Sequence, residues 1–193
     1  MEIIGLSGFA RSGKDTAANV LVEKFGFVRI GFADKLREML YALDPIAGHY
    51  YYDKNPSLVT VQEVIDKYGW DGYKETEYGE EIRRLLQRLG TEAGRKVLWD
   101  TIWIDAALAN LPQDAKVVVS DARFFNEFDA VRERGGEIWR IERAGVGPAN
   151  SHASELEAID YPHFAKWLHN NGTQVDFEEA VARRYLERFQ ALV

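Results

Sequence analysis

The sequence predicts an α/β fold on a mostly parallel sheet, and three observations carry the prediction. Strand-like apolar runs alternate with segments of helical period along the chain. The first strand enters a loop with two glycines that opens directly into a helix. The stretch 34–112, between the second and third strands, is mostly helical in pattern and reads as an insertion on the sheet.

In order, EIIGL at 2–6 is a short buried strand, and 15–25 is a helix with Ala17, Val20, Leu21 and Phe25 inward, ended by Gly26. FVRIGF at 27–32 is the second strand. Asp34 is placed to N-cap a helix whose apolar positions are Leu36, Met39, Leu40 and Leu43, stopped by Asp44-Pro45. Residues 46–78 are irregular and aromatic-rich, with a short helix near 60–68. Helices are expected over 79–98 and 100–110. KVVVS at 116–120, EIWRIE at 137–142 and the weaker 164–169 supply three more strands, so the sheet has about five strands. A helix at 126–134 precedes Gly135-Gly136, NNGT at 170–173 is a turn, and an amphipathic helix occupies 176–191.

Composition removes several classes of function. The chain has 193 residues, which suits one domain carrying an insertion. It contains no cysteine, which excludes disulfide scaffolds and thiolate zinc sites and accords with a reducing cytosol. Four histidines are too few for a His-rich metal centre. The N-terminal segment is not patterned as a signal peptide, and no apolar run is long enough to span a membrane. A formal charge of −7 argues against a nucleic-acid polymer as partner, though converging arginines still bind small anions.

The loop GFARSGKDT matches G-x-x-x-x-G-K. Polyphosphate binding needs backbone N–H groups turned inward at a helix N-terminus, which glycines at 8 and 13 permit. Arg11, Ser12 and Gly13 line the loop, and Lys14 is placed to reach the β- and γ-phosphates. Asp15 stands where a serine or threonine would ligate Mg²⁺. Its carboxylate is a candidate metal ligand, as is the Thr16 hydroxyl, because Mg²⁺ takes oxygen donors. The plainer alternative is an acid favoured by the helix dipole.

In EEIRRLLQRLGTEAGR, Ile82, Leu85, Leu86, Leu89, Ala93 and Val97 lie on one side at helical spacing. Gln87, Thr91 and Arg95 line the other, flanked by Arg84 and Arg88. Guanidiniums fork a phosphate and an amide reads a base edge, so this is a candidate nucleotide-reading face; the alternative is a solvated face with a Glu80–Arg84 pair. Arg37 lies near the carboxyl edge of the sheet, the alternative being a surface arginine paired with Asp34 or Glu38; Trp70 or Trp103 is a candidate stacking residue, though a lone Trp is more often core. The strand VVVS ends in Asp121, which would face a metal–phosphate site, with Arg123 two residues on; the alternative is an acid that caps the next helix. The strand and loop EIWRIERAGVGPANSHASE add Arg140, Arg143, His152, Ser154 and Glu155, with a lid-like segment at 143–158; the alternative for His152 is an ordinary loop histidine. Neither an N-K-x-D signature nor a D-x-x-G after a strand is present, against a switch GTPase.

The blocks GFARSGKDT, FADKLREMLYALDP, YGWDGYK, RRLLQRLGTEAGR, VVVSDARFFNE and SHASE, in this order, resemble the phage-type deoxynucleoside monophosphate kinases over residues 2–180. The resemblance implies a three-layer P-loop kinase fold and one kinase domain over 1–193, with a helical substrate-binding insertion. It implies transfer of the ATP γ-phosphoryl to a deoxynucleoside monophosphate with Mg²⁺, for phage DNA precursor synthesis in the host cytoplasm, and leaves a homodimer open. Gly8 to Thr16 would hold ATP. Asp34, Arg37, Gln87, Arg88, Thr91, Arg95, Trp103, His152 and Glu155 would line the acceptor. Lys14, Asp121, Arg123 and Arg143 would surround the transfer, and Asp15, Thr16 and Asp121 the metal. A dephospho-coenzyme A or phosphomevalonate kinase and a non-catalytic nucleotide-binding module are the competing readings.

Overall fold

A computed structural model describes residues 1–52, 55–147 and 160–190. The chain divides into two compact units, one of 1–32 with 108–193 and one of 33–107.

The first unit holds β1 (Glu2–Ser7), α1 (Lys14–Phe25), β2 (Val28–Ile30), β5 (Lys116–Val119), α6 (Phe125–Glu133), β6 (Glu137–Glu142), β7 (Lys166–His169) and α7 (Gln174–Gln190). Its five strands are parallel throughout, in the order β2-β5-β1-β6-β7. Parallel strands need crossovers, and the helices supply them on both faces. Alternation along β1 shows the division. Ile4 and Leu6 pack with Ala17 and Leu21 of α1 and Val181 and Tyr185 of α7. Gly5 faces the other way, where an added Cβ would meet Ile138 of β6 and Val131 of α6. The result is the expected three-layer α/β arrangement.

The second strand is shorter than the predicted 27–32, because β2 is an edge strand with Val28 half exposed. Phe27 and Phe32 flank it and remain buried.

The second unit contains α2 (Asp34–Leu43), β3 (Ile46–Tyr52), β4 (Asn55–Thr60), α3 (Val61–Gly72), a 3₁₀ turn (Tyr73–Glu75), α4 (Gly79–Gln87), a π-helix (Arg88–Leu98) and most of α5 (Ile102–Leu108). Leu40, Val61, Val64 and Ile82 form its core. Three expectations are corrected here. The segment after Pro45 is not irregular: β3 and β4 pair as an antiparallel hairpin, which an aromatic run and a β-branched run favour. Asp34 is the first residue of α2 rather than its cap, a place taken by Ala33 without a side-chain bond. Met39 and Leu43 lie outward and only Leu40 of α2 is buried. The predicted helix near 60–68 begins with a capping box, Glu63 Oε2 accepting from the Thr60 amide at 2.9 Å.

Candidate functional site

Three parallel strands of the first unit end at one edge, and each delivers a candidate residue. Gly5 of β1 pairs with Val119 of β5, so continuing that register two residues sets Asp121 level with Ser7. On the other side Ser7 pairs with Arg140, and β6 runs on to Arg143. This carboxyl edge is where open α/β sheets bind ligands.

From β1 the chain enters Gly8–Lys14. Gly8 and Gly13 have φ of 150° and 113°, conformations that side chains resist. The loop is closed from behind. A Cβ on Gly8 would stand 2.4 Å from the Ile141 carbonyl, and one on Gly13 would stand 2.5 Å from Asn170 Nδ2. Ser12 is buried, and its Oγ has no hydrogen-bond partner among the described residues. Helix α1 starts at Lys14 with Gly13 as N-cap and no side-chain bond to its first amides. An uncapped helix start behind a glycine loop is a ready anion site. Lys14 Nζ donates to the Gly8 and Phe9 carbonyls at 2.7 and 2.9 Å, which holds the ammonium over the loop. Arg11, at φ 65°, is exposed.

Asp15 points outward. Its carboxylate is ion-paired with Arg29 of β2, which also donates to Ser120 Oγ at 3.1 Å. Thr16 is half-buried. Asp121 Oδ1 accepts from the Phe32 amide at 2.8 Å, so the strand-end acid is fixed in place. The following segment is held by a residue that the sequence reading did not single out. Glu127, 4% exposed, accepts from the amides of Arg123 and Phe124 at 2.7 and 3.2 Å, capping α6 and setting the turn that bears Arg123. Its signal was an acid three residues into a helix.

Arg140, which the sequence reading placed with Arg143 in a second arginine set, is buried, with its guanidinium over the Phe9 ring at 4.9 Å and 5.7 Å from the Phe164 centroid. It supports the loop from the sheet side rather than reaching solvent. Arg143 is exposed and, with Phe9, Glu142, Ala144, Val146, His169 and Asn171, lines a cavity of about 310 Å³ beside the loop. His152 and Glu155, and all of the lid-like segment beyond 147, lie outside the described residues.

In the second unit the polar row runs from Gln87, the last residue of α4, onto the π-helix. Its bonds run from each N–H to the carbonyl five residues back, giving roughly 4.4 residues per turn. Residues four apart therefore stay nearly in line, and Gln87, Thr91 and Arg95 form one row. Arg37 pairs with Asp34 at 3.0 Å and Arg88 with Glu92 at 3.4 Å. Arg84 is forked on Glu81 at 2.6 and 2.7 Å, rather than on Glu80. Burial pushes the Tyr73 phenol up, and the charges of Arg83 and then Arg37 oppose it.

Trp103 is a core residue and not a stacking one. It is 5% exposed, its Nε1 donates to the Gly90 carbonyl at 2.8 Å, and its ring fills the space above Gly94. Among the described residues no group of three or more His, Asp or Glu converges as a metal centre.

No protein-family model matches the chain. A mimivirus protein, whose own assignment as a deoxynucleotide monophosphate kinase is provisional, is 31% identical over 195 residues and covers 92% of both chains. The chain belongs to the deoxynucleoside monophosphate kinase family. A second member, the deoxynucleoside-5'-monophosphate kinase of Escherichia phage T5, is 23% identical over 179 residues, covering 68% of this chain and 72% of its own. Among solved structures, a dephospho-CoA kinase from Campylobacter jejuni aligns over the full length with a TM-score of 0.46 at 12% identity. The kinase is thus a phosphotransferase, and no helix among its described residues is long and apolar enough to cross a membrane.

Proposed function

We propose that the kinase transfers the γ-phosphoryl group of ATP to a deoxynucleoside monophosphate, giving the diphosphate for DNA precursor synthesis in a host cytoplasm. The observation that carries this reading is the closed glycine loop, with its buried, unbonded Ser12 hydroxyl and the uncapped start of α1. Loop amides and the helix start bind the donor phosphates, and Lys14 exchanges its carbonyl partners for phosphate oxygens. The cavity beside Phe9 receives the donor nucleoside. Arg143, at its rim, and Arg123 neutralise charge on the transferring group.

Mg²⁺ fits the oxygen donors of this loop. An ion carried on substrate phosphates needs only one or two protein ligands, so the lack of an acidic cluster among the described residues does not oppose it. We assign those donors to Thr16 and Asp121, and we take Asp15 as the partner of Arg29. When bound, the ion would screen the charge of the β- and γ-phosphates. The acceptor is read by Arg37, Gln87, Arg88, Thr91 and Arg95, with Asp34 orienting Arg37.

ATP consumption is to be measured against a panel of deoxynucleoside monophosphates, ribonucleoside monophosphates, dephospho-coenzyme A and phosphomevalonate. Turnover with at least one deoxynucleoside monophosphate is expected. Turnover confined to dephospho-coenzyme A or phosphomevalonate, or none at all, would end the proposal.

A further inference from the structure

In the sequence, NNGT at 170–173 is punctuation between a strand and a helix. The fold sends this turn back to two parts of the site. Asn170 Nδ2 donates to the Ser12 carbonyl of the phosphate loop at 2.9 Å, while the Asn170 backbone amide donates to the Glu142 carbonyl at 2.7 Å. Asn171 Oδ1 accepts from the Ala144 amide at 2.7 Å, one residue beyond Arg143.

The turn itself is braced. Thr173 donates to Asp176 Oδ2 through its amide at 2.9 Å and its hydroxyl at 2.7 Å, and the Asp176 amide returns a bond to Thr173 Oγ1 at 3.2 Å. Phe177, almost wholly buried, stands 3.1 Å from where a Gly13 Cβ would lie. Helix α7 thus presses its first turn against the phosphate loop.

Peptide planarity gives these two bonds a consequence. In a trans peptide the C=O and N–H of one unit point in opposite directions. Anchoring the Ser12 carbonyl on Asn170 therefore turns the Gly13 N–H to the opposite side of the same unit. The peptide between Arg143 and Ala144 is held at both ends, its N–H by Asn171 and its carbonyl by the Val146 amide at 3.1 Å. A loop that binds anions through backbone amides works best when those amides are fixed beforehand.

We propose that Asn170 and Asn171 are positioning residues for phosphoryl transfer. Asn170 sets the phosphate loop for the donor, and Asn171 sets the turn that carries Arg143. The assignment rests on the donor and transfer roles given above.

The test compares the wild-type kinase with N170A, N170D and N171A by calorimetric ATP titration, steady-state kinetics and thermal melting. N170A is expected to weaken ATP binding and raise the ATP KM about tenfold, the scale of one lost hydrogen bond, while the acceptor KM stays within about twofold. N170D keeps the side-chain size but opposes a carboxylate oxygen to the Ser12 carbonyl, so it is expected to bind ATP more weakly still. It also carries the test if the alanine variant does not fold. N171A is expected to lower kcat about tenfold with ATP affinity within about twofold.

Unchanged ATP affinity in N170D overturns the role of Asn170, and unchanged kcat in N171A overturns that of Asn171. A lowered melting temperature with parallel changes in every constant reduces both to scaffold. ATP titration needs no acceptor, so the failures separate. A wild type that binds ATP but phosphorylates no deoxynucleoside monophosphate sinks the transfer reading and the Asn171 role, and leaves the Asn170 arm to be judged by binding. A wild type that binds no ATP overturns both.

Discussion

Replacing Gly94 with alanine probes the packing that holds the row proposed to read the acceptor. An ideal Cβ there would stand 2.7 Å from Cζ2 and 2.9 Å from both Cε2 and Nε1 of Trp103. Ordinary carbon contacts lie near 3.5–4.0 Å, so the overlap is roughly 0.6 Å or more. The ring is buried and tethered at 2.8 Å to the Gly90 carbonyl, so it cannot retreat without loosening that bond. Alanine would favour the helical backbone by about 1 kcal/mol over glycine. Against this, overpacking costs about 1–3 kcal/mol and an indole N–H left without its acceptor about 1–3 kcal/mol more. The costs win, and the net loss is about 1–5 kcal/mol. In urea, followed by tryptophan fluorescence and far-ultraviolet circular dichroism, the unfolding midpoint of G94A is expected to fall by roughly 1 M. The acceptor KM rises with it, because Thr91 and Arg95 ride on the same π-helix and Gln87 adjoins it, while the ATP KM stays within about twofold. A midpoint equal to or above that of the wild type would show that Trp103 yields freely and would refute the packing argument.

Lys14→Ala is expected to abolish turnover with the fold intact by circular dichroism; retained kcat would remove the ammonium from the transfer. Asp15 is 81% exposed in its pair with Arg29, and pairs of that kind contribute about 0–1 kcal/mol, so Asp15→Asn leaves stability and the Mg²⁺ dependence of the rate almost unchanged. A large rise in the Mg²⁺ concentration for half-maximal rate would instead make Asp15 a ligand. Arg95→Ala raises the acceptor KM while ATP binding stays nearly constant, and an unaltered acceptor KM would return the row to solvated surface. Bonds from Thr173, first its hydroxyl and then its amide, hold the Asp176 carboxyl below its ordinary value of 3.8. A depressed carboxyl stabilises the fold fully above that ordinary value, and the contribution fades as pH falls through the folded-state value. ATP binding therefore draws no pH dependence from this cap between about pH 5 and 8. Asp176→Asn weakens ATP binding at neutral pH, and equal ATP affinity in that variant would uncouple the cap from the loop.

Local pattern identified much of this protein, and where it failed the cause was physical. The strands KVVVS and EIWRIE were legible because both are buried on two faces and so read as apolar runs. The β3–β4 hairpin was not, since its aromatic and β-branched residues lie in a stretch whose polar interruptions hide the period. Residues 79–98 read as one helix, yet the bonding register changes at Arg88. Four-residue spacing keeps its rows in both registers, so the sequence could not distinguish them. Sequence leaves Trp103 open between a stacking and a core role, and packing decides for the core: its large ring lies against two glycines, Gly90 and Gly94.

From the sequence alone came the α/β class, the glycine loop between β1 and α1, the strand-end acid and the arginine-bearing segments, because each depends on pattern within a few residues. Tertiary structure alone decided which charges answer one another. Arg29 reaches Asp15 across 14 positions and Asn170 reaches Ser12 across 158, contacts made by parallel strands and a packed helix that no local spacing encodes.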